Sequence, residues 1–119
     1  TPSIVVVGSF NQDLTWSCSE FPATGETVVG RFTTGPGGKG SNQAVAAARA
    51  GADTAFVGAL GDDHFGRDAE TFLRAEGIAV HLARKTLPTG NAAILVNGRG
   101  ENQIVIGLGA NAALAPRDV

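Results

Sequence analysis

A glycine-rich segment that runs directly into an alanine-rich one is the feature that most restricts the fold of this chain. Residues 35–51 read GPGGKGSNQAVAAARAG. Because glycine lacks a Cβ, this loop can adopt positive φ values and approach a ligand closely. Ser41 or Asn42 is expected to open a helix whose free N–H groups and positive dipole end point back at the loop. The segment predicts a site for an anionic or polyhydroxy ligand, with Lys39 as a mobile positive charge inside it.

The lysine in this loop does not belong to a P-loop. That motif requires a glycine, four further residues and then Gly-Lys-Ser/Thr. In this chain Thr33 stands five residues before Gly38, and Gly40 follows Lys39. The P-loop interpretation is therefore excluded.

A dinucleotide-binding loop is a weaker alternative. Glycines at 35, 37 and 40 match the pattern G-x-G-x-x-G, and two aspartates follow at 62 and 63. That fingerprint comes directly after a strand, whereas the first apolar strand, at 4–8, ends long before the loop. A lone glycine pattern is weak evidence, so this interpretation stays open but is not favoured.

Length and charge limit the class of protein. The 119 residues are enough for one domain with a core, and the net charge of −2 without a basic run argues against a nucleic-acid surface. No apolar run approaches the roughly 18 residues of a membrane span. The single cysteine, Cys18, cannot form an internal disulfide and fits a reducing compartment. We expect a cytoplasmic protein that binds neither nucleic acid nor membranes.

The rest of the chain alternates between predicted strands and helices. Residues 4–8, IVVVG, are typical of a fully buried strand in a parallel sheet. An apolar stripe predicts a helix over 65–76, capped by Asp62 or Asp63 and closed by Gly77. The other predicted elements are a helix over 41–50, extended stretches over 14–20 and 26–35, a buried strand over 54–60, a short strand over 78–82, and a hairpin of 91–97 with 102–107.

Polar side chains follow the first strand, where ligands of open α/β sheets bind. Asn11 and Asp13 lie just past the predicted carboxyl end of that strand. Asn11 and Asn42 each offer a donor and an acceptor, and Asp13 accepts hydrogen bonds. This mixture suits the vicinal hydroxyls of a sugar. The alternative for Asn11 and Asp13 is a capping or Asx-turn pair in a strand-exit loop.

Four strings together resemble the N-terminal part of the ribokinase-type (PfkB-type) family of carbohydrate kinases. They are VVVGSFNQD, GPGGKGSNQAVAAARAGA, FVGALGDDHFG and GLGANAAL, in this order over nearly the whole chain. The resemblance implies a three-layer α/β/α fold with a mainly parallel sheet and a small β-sheet lid. Residues 1–119 would be the N-terminal part of one such domain, with lid segments at about 14–34 and 91–107. The helix start at Pro116, close to the last residue, agrees with this expectation; a small stand-alone fold is the alternative.

The same resemblance implies a function. Members of this family transfer the γ-phosphoryl group of ATP to a sugar hydroxyl, with Mg²⁺ and, in some members, a monovalent cation such as K⁺. The favoured substrate is D-ribose, phosphorylated at O5 to D-ribose 5-phosphate. The resemblance further implies a homodimer that pairs lid against lid.

Residue by residue, the resemblance assigns sugar contacts but no catalytic base. The positions implied to contact the sugar are Asn11, Asp13, Gly38, Lys39, Asn42, Ala92 and Ile104. The family's base is an Asp in a GAGD-type run, and the closest string here places Asn111 after Gly109 and Ala110. We therefore expect the base, the Mg²⁺-associated residues and the adenine pocket beyond Val119, and expect the isolated chain to be inactive. A truncated, non-catalytic sugar-binding or dimerisation module is the alternative.

Overall fold

Two separate β-sheets and two α-helices make up the fold. The computed structural model describes all residues from 1 to 119. The elements are β1 (Ile4–Val7), β2 (Asn11–Ser17), β3 (Arg31–Gly37), α1 (Lys39–Arg49), β4 (Thr54–Gly61), α2 (His64–Ala75), β5 (Ala79–Lys85), β6 (Asn91–Val96), β7 (Asn102–Gly107) and two 3₁₀ helices (Gly109–Ala113 and Pro116–Asp118). The predicted α/β class, with a parallel sheet and a second small sheet, is confirmed.

The first sheet is parallel, in the order β1-β4-β5, and holds the core. Every residue of β4 is buried, as the continuous apolar run at 54–60 predicts. Both helices pack on one face of this sheet through small and aliphatic side chains. The core cluster consists of Phe10, Ala44, Phe56, Leu60, Ala69, Leu73 and Ile78. Neither helix has the length and apolar composition needed to cross a membrane.

The prediction that the first strand is fully buried is wrong. Val5 and Val7 are 56% and 50% exposed, and only Val6 packs against the core cluster. Within the 119 residues β1 pairs with β4 alone, and α1 packs on its other face. A parallel sheet becomes buried only when both of its faces are covered, which the 119 residues do not achieve at β1.

The second sheet has the order β3-β2-β6-β7, and its central pair, β2 with β6, is parallel. Segments 14–34 and 91–107 both contribute strands to it, and the predicted hairpin is confirmed as β6 and β7. The first of its strands starts earlier than predicted, at Asn11. Asn11 and Asp13 therefore lie in a strand and not in an exit loop, because Asn11 pairs with Gly37 and Asp13 pairs with both Gly35 and Ala92.

The predicted strand over 26–35 is only partly formed. β3 begins at Arg31, and residues 26–30 have no regular structure despite their alternating pattern. The last residue pair between β2 and β3 is Ser17 with Arg31, so the segment before Arg31 runs past the end of its neighbour. An alternating sequence alone does not form a strand without a hydrogen-bonding partner.

Both helix starts differ in detail from the predictions. α1 begins at Lys39 and not at Ser41 or Asn42, because β3 continues through Gly37 and Gly38 makes the turn as N-cap residue with φ +96°. α2 begins at His64, one residue before the predicted start. Of the two candidate caps, Asp63 caps α2, with its carboxylate accepting a 2.8 Å hydrogen bond from Gly66 N.

Asp63 also ties the connection between β5 and β6 to the start of α2. Its carboxylate accepts hydrogen bonds from Thr89 N at 2.9 Å and Thr89 Oγ1 at 2.6 Å. Thr89 is buried, and its hydroxyl oxygen accepts from Gly61 N at 2.9 Å. Burial raises the pKa of Asp63, but the bonds from Thr89 and Gly66 outweigh it, so the pKa lies below its ordinary value. One carboxylate thus links the parallel sheet to the strand that enters the second sheet.

Replacing Asp63 with alanine should lower the free energy of unfolding by about 1 to 2 kcal/mol at neutral pH, because a helix cap and the bonds to Thr89 are lost together. Denaturant unfolding measures this. The matched control is Asp62→Ala, since Asp62 is exposed and makes only a 3.4 Å ion pair with Arg67. That control should cost less than about 0.5 kcal/mol.

The stability difference between wild type and Asp63→Ala should also depend on pH. A carboxyl group with a lowered pKa stabilises the fold fully above its ordinary value of 3.8 and loses that contribution as the pH falls through the lower folded-state value. Unfolding measured from neutral pH into acid should show the two proteins converging. A gap of constant size across this range would contradict the assignment.

Candidate functional site

A cavity of about 400 Å³ lies between the start of α1 and one face of the second sheet. Its walls come from β2, α1, β6, β7 and the turn after β7. The lining residues are Ser9, Asn11, Asp13, Gly38, Lys39, Asn42, Ala92, Ile94, Ile104, Ile106, Leu108 and Asn111. All seven residues that the sequence implicated in ligand contact lie in this one cavity. Asp62 and Asp63 do not line it.

The carboxylate of Asp13 is the acidic group of the cavity. Asp13 and Asn11 are two residues apart on β2, so both side chains point to the same face of the sheet. A Cβ placed on Gly37 would fall 2.6 Å from the carboxylate carbon of Asp13, so a larger residue at this position of β3 would displace the carboxylate. No donor within the chain hydrogen bonds to the carboxylate, and burial raises its pKa. The cavity therefore holds an acceptor that is free for a ligand.

The first turn of α1 supplies the basic group and a second amide. Lys39 and Asn42 are exposed and three residues apart on this helix, hence on neighbouring positions of its surface. The N-terminus of α1 points at the backbone that follows β1, as the 3.1 Å hydrogen bond from Ser41 N to Ser9 O shows. The amide of Asn42 and the ammonium group of Lys39 therefore face the same cavity as the carboxylate of Asp13 on β2.

Glycines allow α1 to approach the exit of β1 closely. A Cβ on Gly40 would lie 2.8 Å from Gly8 Cα, and a Cβ on Gly38 would lie 2.7 Å from Ser9 O and 2.9 Å from Asn11 N. The glycine-rich loop therefore does not surround a ligand by itself. It brings the helix start against the backbone that carries Asn11.

The opposite wall of the cavity is aliphatic. It consists of Ala92 and Ile94 on β6 and of Ile104 and Ile106 on β7, which alternate with residues that point to the other side of the sheet. Ala92 is buried, while Ile104 and Ile106 remain half exposed. A ligand with polar groups on one side and C–H groups on the other matches the two walls.

Asn111 is a residue of the site that the sequence reasoning missed. The sequence shows it only as a mismatch to a catalytic-base run, yet the first 3₁₀ helix carries it into the cavity wall. Its amide donates to Phe10 O at 2.8 Å and to Asn11 Oδ1 at 3.0 Å, and its Oδ1 accepts from Phe10 N at 3.2 Å. No periodic sequence pattern could have indicated this role, because Asn111 and its partner Asn11 are 100 residues apart in the sequence.

Comparison with known proteins identifies the family. All residues, 1–119, match the pfkB family carbohydrate kinases, and the chain belongs to that family. Ribokinase of Bacillus subtilis is 43% identical over 116 residues, which cover 96% of this chain and 40% of that protein. The resemblance inferred from the four sequence strings is confirmed.

Solved structures agree with this assignment. The structure of ribokinase from Giardia lamblia matches with a TM-score of 0.93 and 43% identity, over 99% of this chain and 37% of that one. The structure of Arabidopsis thaliana ribokinase complexed with ribose and ATP matches with a TM-score of 0.81 and 37% identity, over 93% of this chain and 37% of that one. The ribokinase-like fold class is thereby confirmed, and the chain spans less than half the length of these relatives.

Replacing Gly38 with alanine should destabilise the protein by about 1 to 3 kcal/mol, because its φ of +96° is unfavourable for a residue with a Cβ and the added atom meets Ser9 O. The control is Gly35→Ala in the same loop, since Gly35 has no positive φ and no heavy atom within 4 Å of an added Cβ. Thermal unfolding of both variants tests the claim. Equal melting temperatures would show that the close approach at Gly38 is not required.

Proposed function

We propose that this protein is an ATP-dependent sugar kinase, and that the present chain supplies its sugar-binding part. The favoured reaction is transfer of the γ-phosphoryl group of ATP to O5 of D-ribose, giving D-ribose 5-phosphate. The observation that carries the proposal is the single cavity in which an unpartnered carboxylate, three amides and an ammonium group face an aliphatic wall. Membership of the carbohydrate kinase family and the similarity to ribokinases support the same reaction.

The two walls of the cavity suit a pentose. Asp13 accepts hydrogen bonds from sugar hydroxyls, and Asn11, Lys39 and Asn42 donate to sugar oxygens. Ala92 and Ile104 pack against the C–H groups of the ring, and the second sheet acts as the lid over the bound sugar. A volume of about 400 Å³ is within the range of small-ligand pockets. In this proposal Gly38 contributes by its backbone, which can lie against Ser9 and Asn11 because the residue has no Cβ.

Phosphoryl transfer needs a positioned acceptor, a base and neutralised phosphate charge. The present residues position the acceptor. No group of three His, Cys, Asp or Glu side chains in the 119 residues is arranged to hold a metal ion. We propose that the ligands of Mg²⁺ and K⁺, the nucleotide pocket and the catalytic base belong to the part of the ribokinases that the present chain, which covers 40% of the Bacillus subtilis protein, does not match. Mg²⁺ neutralises phosphate charge when it is bound.

A kinase assay on the full-length protein tests the proposal. Ribose, fructose, adenosine and 2-keto-3-deoxygluconate would be compared as acceptors with ATP, and we expect the highest kcat/KM for ribose. The isolated 119 residues serve as the control and should show no ATP-dependent phosphorylation. Sugar binding by the full-length protein without phosphorylation of any acceptor would favour the alternative, a non-catalytic sugar-binding or dimerisation module.

Replacing Asp13 with asparagine should weaken the binding and turnover of ribose by about 1.5 to 3 kcal/mol, because hydrogen bonds to a charged acceptor are lost. Since burial raises the pKa of Asp13, its ionised form costs the ligand-free fold some stability at neutral pH. Asp13→Asn should therefore bind less sugar without a lower melting temperature. Asp68→Asn, at an exposed position of α2, is the control. Unchanged KM and kcat in Asp13→Asn would remove Asp13 from the sugar site.

We further propose that the protein is cytoplasmic and forms a homodimer through the second sheet. Cys18 has no disulfide partner, in keeping with a reducing compartment. The side of the sheet that faces away from the cavity carries Trp16, Phe32 and Val105, all exposed, and Val29 beside it is 96% exposed. Exposed apolar clusters of this kind are typical of partner surfaces. A second copy of the chain is the partner that the family resemblance implies.

Light scattering on the full-length protein measures the oligomeric state. We expect a dimer at micromolar concentration that dissociates when glutamate replaces Val29 or Val105, because a charge would be buried in an apolar contact. The control is Thr71→Glu on the exposed surface of α2. A monomer in the wild type, unchanged by either valine substitution, would eliminate the homodimer.

A further inference from the structure

We propose that Asn111 fixes the polarity of the sugar site, by turning the amide of Asn11 so that its NH₂ group faces the cavity beside the acceptor Asp13. This inference rests on the proposed sugar-kinase function and deepens it. Asn111 is a positioning residue in this scheme, because it acts on the sugar through Asn11.

The orientation of the Asn111 side chain is set by the peptide group of Phe10. Phe10 N donates to Asn111 Oδ1 at 3.2 Å, and Asn111 Nδ2 donates to Phe10 O at 2.8 Å. A backbone N–H only donates and a carbonyl only accepts, so the reversed amide would bring two acceptors together at one end and two donors at the other. Phe10 is 1% exposed and belongs to the core cluster, which holds its peptide in place.

The orientation of Asn111 decides that of Asn11. The second proton on Asn111 Nδ2 is directed to Asn11 Oδ1, 3.0 Å away. Reversing the Asn11 amide would place one NH₂ group against another and leave both without an acceptor. The oxygen of Asn11 is therefore already occupied, and its NH₂ group, which has no partner in the chain, is the part available to a ligand.

Gly90 leaves the space in which this arrangement forms. A Cβ at this position would overlap Asn111 Nδ2 and lie 2.5 Å from Asn11 Oδ1 and 2.9 Å from Phe10 O. The connection that Asp63 anchors through Thr89 leads directly into Gly90. These hydrogen bonds from Phe10 through Asn111 to Asn11, called the Asn111 relay below, thus lie where β2, the β5–β6 connection and the turn after β7 meet.

Together, the NH₂ group of Asn11 and the carboxylate of Asp13 select for a particular arrangement of hydrogen-bonding groups on the ligand. Asn11 requires a ligand oxygen that accepts a hydrogen bond, and Asp13, two residues along the same face of β2, requires one that donates. Adjacent hydroxyls of a sugar satisfy both, because each hydroxyl can donate and accept. If Asn11 turned over, the site would offer two acceptors side by side and the preference would be lost.

Binding measurements on the full-length protein test this relay with a double-mutant cycle. Ribose affinity would be measured by calorimetry for wild type, Asn111→Asp, Asn11→Ala and the double variant. We expect Asn111→Asp to weaken ribose binding about tenfold in the wild-type background and to have no further effect when Asn11 is already alanine. Asn102→Asp, an exposed position outside the cavity, should leave affinity unchanged.

Two results of the cycle would overturn the proposal. Losses that multiply in the double variant would mean that Asn111 contacts the sugar directly. An affinity that is unchanged in Asn111→Asp would mean that Asn111 is only a structural residue. Asn111→Ser, which removes the relay without adding charge, replaces Asn111→Asp if thermal unfolding reveals that the aspartate variant does not fold, with the same expected cycle.

Hydrogen exchange of side-chain amides tests the orientation without any sugar. In the ligand-free protein, the NMR signals of the Asn111 amide should exchange slowly, and those of Asn11 should exchange as fast as those of exposed Asn102. Protection of the Asn11 amide together with fast exchange at Asn111 would overturn the proposal. If the wild type binds no ribose but the exchange pattern is as expected, the sugar-kinase function fails while the assigned orientation of Asn11 stands.

Discussion

The close contact between the exit of β1 and the start of α1 is the constraint on which the rest of this structure depends. Gly8 and Gly40 meet almost backbone to backbone, and Gly38 turns the chain beside Ser9 with a positive φ. Any side chain at these positions would push the helix away from the strand. The contact places the first turn of α1 at the strand exit, directly beside the start of β2. These glycines therefore allow the parallel sheet, α1 and the second sheet to meet at one point.

The chemistry of the cavity follows from this junction. Because β2 leaves it as a straight strand, Asn11 and Asp13 emerge on one face and meet the helix start from the side. The parallel pairing of β2 with β6 then aligns Ala92 with Asp13, which places the aliphatic wall next to the carboxylate. The site thus needs the second sheet together with α1, which packs on the first sheet, and the hydrogen bonds of Asp63 and Thr89 hold the connection between the two sheets.

The sequence predicted those parts of the fold that depend on local patterns. The buried strand over 54–60, a cap at Asp62 or Asp63 and the 91–107 hairpin each follow from apolar runs, capping chemistry and turn residues; all three are present, with Asp63 as the cap. The family resemblance collected seven cavity-lining residues from distant positions, which no local pattern could have brought together. Errors arose where a neighbouring strand decides the outcome. Residues 26–30 alternate but have no partner strand, and the apolar run of β1 pairs with a single strand within the 119 residues. Asn111 was missed because its hydrogen bonds to residues 10 and 11 are purely tertiary.

The β6–β7 hairpin carries two different surfaces on alternate residues. Ile104 and Ile106 face the cavity, and Val105 between them faces away from it. Since side chains alternate strictly along a strand, inserting or deleting one residue within β7 would exchange the two surfaces and present Val105 to the cavity. A change of length in the turn at 98–101 would leave this alternation intact, because the turn lies beyond the last residue pair of the hairpin. In evolution, length changes of this hairpin should therefore accumulate at its tip, while its strands tolerate substitutions but keep their length.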